Sequence, residues 1–213
     1  MTLKRPAPPK DPDAAAGILH GFPPVEPECA RVLVLGSMPG AASLRARQYY
    51  AHPQNAFWRI AGELFGFDPA APYAVRTAAL AASGVALWDV LMNCARPGSM
   101  DSDIEPDTIV CNDFAAFFGR HPLVTRVFFN GATAERLFLR RVRPNLARGP
   151  ELQCARLPST SPAYASVPYA EKLRAWRAIL PETDGRRTPE QISNVKRTIS
   201  SEEGEDGRRY VET

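Results

Sequence analysis

Val32-Leu-Val-Leu-Gly-Ser-Met-Pro-Gly40, followed shortly by Tyr49-Tyr-Ala-His-Pro-Gln-Asn-Ala-Phe-Trp58, is the stretch that decides the fold. An apolar, β-branched run that ends in a Gly/Pro turn reads as a buried strand. The aromatics, the histidine and the amides that follow, and then the start of an amphipathic helix, describe a polar loop with an aromatic wall. A strand that delivers such a loop builds a pocket for a flat ligand.

Working outward, short apolar runs alternate with helical patterns. Strands are expected at 31–35, 85–88, 127–129 and 153–157, and helices at 57–66, 73–83, 113–120, 132–142 and 169–180. This alternation predicts an α/β fold: a three-layer α/β/α arrangement around a central, mostly parallel sheet of about four strands, with the ligand outside the strands' carboxyl ends. Residues 1–28, rich in Pro, Ala and charge, read as an irregular lead-in anchored by Leu19, Phe22 and Val25. Residues 29–182 read as the α/β domain and 183–213 as a charged, mobile tail.

With 213 residues, 45% hydrophobic and 23% charged, the chain can bury one substantial core. The net charge is only +3, yet 26 residues are Lys or Arg, so a local basic face matters more than the sum. No apolar run reaches the roughly 18 residues of a membrane span, and the first residues lack a signal core. A cytoplasmic, monomeric protein is expected. Cys29, Cys94, Cys111 and Cys154 are widely spaced, with no Cys-x-x-Cys pair and no nearby His, so neither a metal nor another cofactor is expected.

Each predicted strand is followed by a polar cluster: Gly36 to Gly40 with Tyr49 to Asn55, Asp89 with Cys94 to Asp103, Asn130-Gly131, and Pro158 to Ala163. In these motifs the chain resembles the uracil-DNA glycosylase superfamily, and specifically its hypoxanthine-DNA glycosylase branch. The carriers are Gly-Ser-Met-Pro-Gly at 36–40, Tyr-Tyr-Ala-His-Pro-Gln-Asn-Ala-Phe-Trp at 49–58 and Gly-Val-Ala-Leu-Trp-Asp-Val at 84–90. Arg-Pro-Gly-Ser-Met-Asp-Ser-Asp-Ile at 96–104, Phe-Phe-Asn-Gly-Ala-Thr-Ala at 128–134 and Leu-Pro-Ser-Thr-Ser-Pro-Ala at 157–163 complete them. The resemblance spans roughly Gly21 to Leu180. It implies an enzyme that excises deaminated bases from DNA, hypoxanthine first and uracil as a second candidate, and leaves an abasic site. The alternative is a DNA-binding module of the same fold that has lost catalysis.

Such an enzyme takes the nucleotide out of the stack and holds the base in a shaped pocket. The resemblance makes Tyr50 the residue that stacks on the base and Phe57 a second candidate, with Gly36, Ser37 and Met38 beside the base. The superfamily's usual water-activating Asp or Asn falls where this chain has Met38, which neither accepts a proton nor orients water. By resemblance to the hypoxanthine branch, Asn55 and Asn130 take over, orienting water and bonding the leaving base. A helix cap at Asn55 and an Asn-Gly turn at Asn130 are the structural alternatives.

His52 is a candidate general acid or base, or a structural residue before Pro53. Asp89, read as ionised and accepting, would take the N1–H of hypoxanthine, or else cap the next turn. Leu157 stands where relatives carry a catalytic His or Asn. Ser159, Thr160 and Ser161 suit phosphate oxygens, Ser43 and Arg96 are further DNA contacts, and Tyr164 is a candidate wedge. No Lys lies in these loops to form a Schiff base, so the expected mechanism is monofunctional.

Overall fold

The computed structural model describes residues 17–180 apart from Ser99 and Arg148, so the expected tail and the first part of the lead-in lie outside the described residues. The strands are β1 (Ile18–His20), β2 (Val32–Gly36), β3 (Val85–Asp89), β4 (Leu91–Ala95), β5 (Val110–Cys111), β6 (Arg126–Asn130) and β7 (Gln153–Leu157). The helices are α1 (Ala41–Ala46), α2 (Phe57–Phe65), α3 (Tyr73–Ala82), α4 (Phe114–Arg120), α5 (Ala132–Leu137) and α6 (Tyr169–Trp176). A π-helical turn, Phe138–Val142, prolongs α5.

A four-stranded sheet in the order β3-β2-β6-β7 forms the middle layer, and every pairing in it is parallel. β2 is buried along its whole length between neighbours on both sides, which is why it reads as a continuous apolar run rather than an alternating one. The register pairs Gly36 with Asp89 and Asn130 with Leu157, so these residues end their strands at one edge of the sheet. Helix α2 turns Phe57, Trp58, Ile60 and Ala61 inward and stops at Gly66, whose left-handed φ of 76° closes the last turn. Asp113 caps α4 by accepting from the Ala116 N–H at 2.9 Å.

The sequence reading needs one architectural correction. A second, antiparallel sheet in the order β1-β4-β5 stands beside the first. The lead-in, expected to be irregular to residue 28, therefore contributes a strand, and part of the expected loop after Trp88 is β4. Strands of two or three residues are too short to carry a period, so these escaped detection. Helix α1, within the expected first loop, was missed for the same reason. Only Val90 separates β3 from β4, and this junction turns the chain from one sheet into the other at the sheet's carboxyl edge.

Candidate active site

The junction sets the floor of the site. Past the end of the parallel ladder, Val90 N–H still donates to the Gly36 carbonyl at 2.9 Å and Leu91 N–H to the Ser37 carbonyl at 3.0 Å. Asp89 is thereby pressed against Gly36. A Cβ at position 36 would lie 2.2 Å from Asp89 Oδ1 and 3.0 Å from the Tyr50 hydroxyl oxygen, so only glycine fits.

Asp89 is 3% exposed and its Oδ2 has no hydrogen-bond partner. Burial above all, reinforced by the charge of Asp101 and opposed by Arg96, pushes its pKa up to about 8. This corrects the expected ionised acceptor. Near neutral pH the carboxyl is mostly protonated and offers an O–H donor as well as an acceptor.

Tyr50 closes over this floor. Its backbone is left-handed at φ 54°, which is uncommon for an aromatic residue, and its ring packs on Phe57 with centroids 4.3 Å apart. The hydroxyl is buried without a hydrogen-bond partner. Burial first, then the Asp89 charge, drive the phenol pKa upward, while the neighbouring Asn130 side chain opposes the rise. Phe57 itself is fully buried, in edge contact with Trp58 and Trp176. It supports Tyr50 from below and does not reach a ligand, which corrects its expected base contact.

The loop from α1 to α2 is latched internally. Ser43 is buried, and its Oγ accepts from the Ala51 N–H at 3.1 Å. It is a loop clasp and not a DNA contact. Tyr49 is tied by its hydroxyl to the Phe22 and Pro23 carbonyls and by its own carbonyl to Trp58 Nε1. His52 is exposed, with Nδ1 accepting from the Gln54 N–H at 3.2 Å. Asn55 Oδ1 accepts from the Phe57 N–H at 3.0 Å, the capping geometry anticipated as its alternative, while its amide nitrogen has no partner among the described residues. The cap orients the side chain and leaves the donor end available.

Asn130, at the end of β6, is gripped by Thr160 through both ends of its amide: Nδ2 donates to Thr160 Oγ1 and Oδ1 accepts from the Thr160 N–H, each at 2.8 Å. Thr160 is 1% exposed, so it is a positioning residue and cannot reach phosphate as expected. Its carbonyl also accepts from the Ala56 N–H at 3.0 Å. One residue thus ties the Asn130 strand end to the Asn55 loop. Ser159 and Ser161 are half-buried, and their hydroxyls accept from the N–H groups of Ser161 and Ala163. Tyr164 is 43% exposed at the end of the same loop.

Helix α6 braces this last loop, a feature the sequence did not reveal. Lys172 Nζ donates to the Tyr164 carbonyl at 2.6 Å and lies over the Tyr164 ring, and Trp176 Nε1 donates to the Pro158 carbonyl at 2.9 Å. Amphipathic periodicity marks Trp176 as inward-facing, but nothing local marks its target.

Arg96 departs most from expectation. It is 4% exposed, not on the surface where a phosphate could reach it. Its Nη2 donates to the Pro39 carbonyl at 2.6 Å, and Nε and Nη1 are buried without partners. Ser37 Oγ donates to Asp101 Oδ1 at 2.8 Å, and Met38 is packed into the core. Among the described residues no three His, Cys, Asp or Glu side chains gather as a metal site. The structure therefore brings together Gly36, Tyr50, Asp89 and Asn130, links Asn55 to them through Thr160, and leaves His52 outside.

Comparison with known proteins identifies the family. Residues 23–181 match the family model of the Uracil DNA glycosylase superfamily, and the chain belongs to that superfamily. It is 41% identical over 113 residues to the hypoxanthine DNA glycosylase of Methanosarcina barkeri, covering 53% of this chain and 70% of that protein. The hypoxanthine DNA glycosylase of Methanosarcina acetivorans is 37% identical over 118 residues, covering 55% of this chain and 73% of that protein. A Methanosarcina acetivorans protein solved in solution by NMR, named provisionally as a uracil DNA glycosylase, superposes with a TM-score of 0.63. It is 33% identical, and the match covers 76% of this chain and 96% of that one. The three-layer fold and the parallel sheet are those of the family.

Proposed function

We propose that the protein is a monofunctional DNA glycosylase that hydrolyses the N-glycosidic bond of deaminated bases, hypoxanthine foremost, and leaves an abasic site. The observation that carries this reading is the Thr160 link, which grips the Asn130 amide at both ends and ties its strand end, through the Ala56 N–H, to the loop in which Asn55 is held by its own cap, beside a neutral carboxyl and an aromatic lid. Fixed donors aimed at a departing base stabilise the charge that develops there, and they need not reorganise when it forms.

In this mechanism the expelled base lies against Tyr50. Asp89, protonated, presents a donor and an acceptor to the N1–H and O6 edge of hypoxanthine. The Asn55 amide nitrogen donates to the leaving base, and the remaining lone pair of its Oδ1 orients a water toward C1′. Tyr164, exposed on a loop braced by Lys172, enters the duplex where the nucleotide leaves it. The Ser159 and Ser161 hydroxyls donate to the flanking phosphates. No lysine lies in the loops after the strands to form a Schiff base, so the chemistry stops at hydrolysis.

No helix among the described residues is long and apolar enough to cross a membrane. The reading places the protein as a monomer with the cell's DNA, in the cytoplasm of a cell without a nucleus. The test is release of base from a duplex carrying one deoxyinosine, scored by alkaline cleavage. Scission by the wild type and its loss in Asn55→Ala support the reading. DNA binding without scission on deoxyinosine or deoxyuridine would establish the binding-module alternative.

A further inference from the structure

Arg96 poses an energetic problem that the apo protein does not solve. A guanidinium carries five N–H donors, yet among the described residues Arg96 makes one hydrogen bond, from Nη2 to the Pro39 carbonyl, and Nε and Nη1 are buried without partners. A buried cation without a partnering anion is costly, and none of the described carboxylates forms an ion pair with it. Asp89, whose rise in pKa Arg96 opposes, is mostly protonated near neutral pH and is itself unpartnered at Oδ2, so it supplies no full counter-charge. Buried, unpaired donors just past the carboxyl end of β4 are groups available to a ligand that enters.

Position narrows what enters. Pro39 belongs to the loop that leaves β2 at Gly36, and Asp89 faces Gly36, so Arg96 spans the loops that follow the two neighbouring strands. Leu157, at the end of β7, is buried and supplies no polar group there. Among the described residues Arg96 and Lys172 are both buried cations, but Lys172 Nζ donates to the Tyr164 carbonyl.

We propose that Arg96 recognises the exocyclic carbonyl edge of the expelled base and holds the negative charge that the base acquires as the glycosidic bond breaks. The inference rests on the glycosylase reading above. In the step itself the C1′–N9 bond breaks heterolytically and its electron pair stays on the base, delocalised to O6 and N7. Water adds its oxygen to C1′ and gives up a proton, and the base takes one up at nitrogen. An Arg N–H pairs with the O6 acceptor of hypoxanthine, whereas adenine presents an amino group in place of O6 and leaves that donor unpaired. Arg96 thereby both selects an oxo-base over its amino parent and assists its departure.

The experiment compares wild type with Arg96→Gln and Arg96→Lys on a duplex containing one deoxyinosine, under single turnover. Substrate affinity is measured at two salt concentrations, and free hypoxanthine and free adenine are titrated as competitors. The expected result for Arg96→Gln is a rate loss of about 100-fold, the scale of removing one donor aimed at developing charge. Affinity for the duplex and its salt dependence stay unchanged, and the preference for free hypoxanthine over adenine falls to the part that Asp89 supplies. Arg96→Lys, which keeps a charge and a donor, regains part of the rate. A rate within about threefold of wild type for Arg96→Gln overturns the proposal. So does a loss confined to affinity with the salt slope reduced by about one, which marks a phosphate contact. If Arg96→Gln is unfolded and Arg96→Lys, though folded, keeps full rate and full base preference, Arg96 is only a strut. Absence of base release by the wild type fails the underlying function instead.

Discussion

Thr160 holds Asn130 from both ends, its Oγ1 accepting from Nδ2 and its N–H donating to Oδ1, each at 2.8 Å. An asparagine pinned in this way cannot flip its amide, so its remaining N–H is aimed by the fold and not by the ligand. Because the Thr160 carbonyl also accepts from Ala56, the same residue sets the relation between the Asn130 strand end and the Asn55 loop.

Thr160→Val keeps the shape and the backbone donor but removes the hydroxyl acceptor. The expected cost is about 1–2 kcal/mol of stability, from leaving a buried donor unpaired. Base release from deoxyinosine duplexes should fall at least about tenfold, because the Asn130 amide loses its orientation. Chemical denaturation and single-turnover kinetics check both, and unchanged kinetics would remove Thr160 from the positioning network.

Asn55 combines a cap with a free donor, and two substitutions separate them. Asn55→Asp keeps an oxygen that accepts from the Phe57 N–H, so stability should change little, whereas Asn55→Ala should lose about 1 kcal/mol. Both should lose base release by about 100-fold or more, since neither offers the amide N–H. An active Asn55→Asp variant would show that the oxygen, not the nitrogen, does the work.

Asp89 makes a pH prediction whose sign follows from its raised pKa. In the folded protein it keeps its proton up to about pH 8, whereas in the unfolded chain it loses it near the ordinary value of about 3.9. Folding takes up a proton between those limits, so this group's contribution is full below about pH 4 and is lost as pH rises through about 8. Asp89→Asn lacks that slope. The melting temperature of the wild type relative to Asp89→Asn should fall between pH 5 and pH 9, and parallel profiles would contradict the neutral carboxyl. Wild-type base release should decline above about pH 8 with the same group.

The Tyr50 hydroxyl is buried without a partner, so Tyr50→Phe should be neutral or stabilising by about 1 kcal/mol. Because the ring supplies the stacking face, base release should stay within about threefold of wild type. Tyr50→Ala removes that face and should lose about 1–3 kcal/mol of base interaction. A large loss in Tyr50→Phe would instead assign the hydroxyl a contact to the base or to Asn130.

The elements legible in advance were those whose pattern repeats within a few residues. β2 and β3 read as strands because their residues are buried on both faces, and α2 because Phe57, Ile60 and Ala61 fall on one side of a 3.6-residue turn. β1, β5 and α1 span two to six residues, too few for a period to declare itself, and β4 was hidden by the polar Asn93 between apolar residues. Residue chemistry and position after a strand mark Tyr50, Asn55, Asp89 and Asn130 as candidates, and the structure brings Tyr50, Asp89 and Asn130 together. The burial of Phe57, Ser43, Thr160 and Arg96 depends on segments far away in the chain and is not legible locally.

What the sequence determined by itself was local: which runs are strands, where each strand ends, and that polar side chains follow those ends. Residue type and periodicity depend only on neighbours in the chain. Only the tertiary structure decided what those side chains do, because burial and pairing arise between segments far apart in sequence. A serine or threonine looks equally suited to phosphate or to a backbone clasp until packing shows Ser43 against Ala51 and Thr160 against Asn130. An aspartate looks ionised until its water is removed. An arginine looks like a surface charge until the fold closes over it beside Pro39 and leaves its donors waiting.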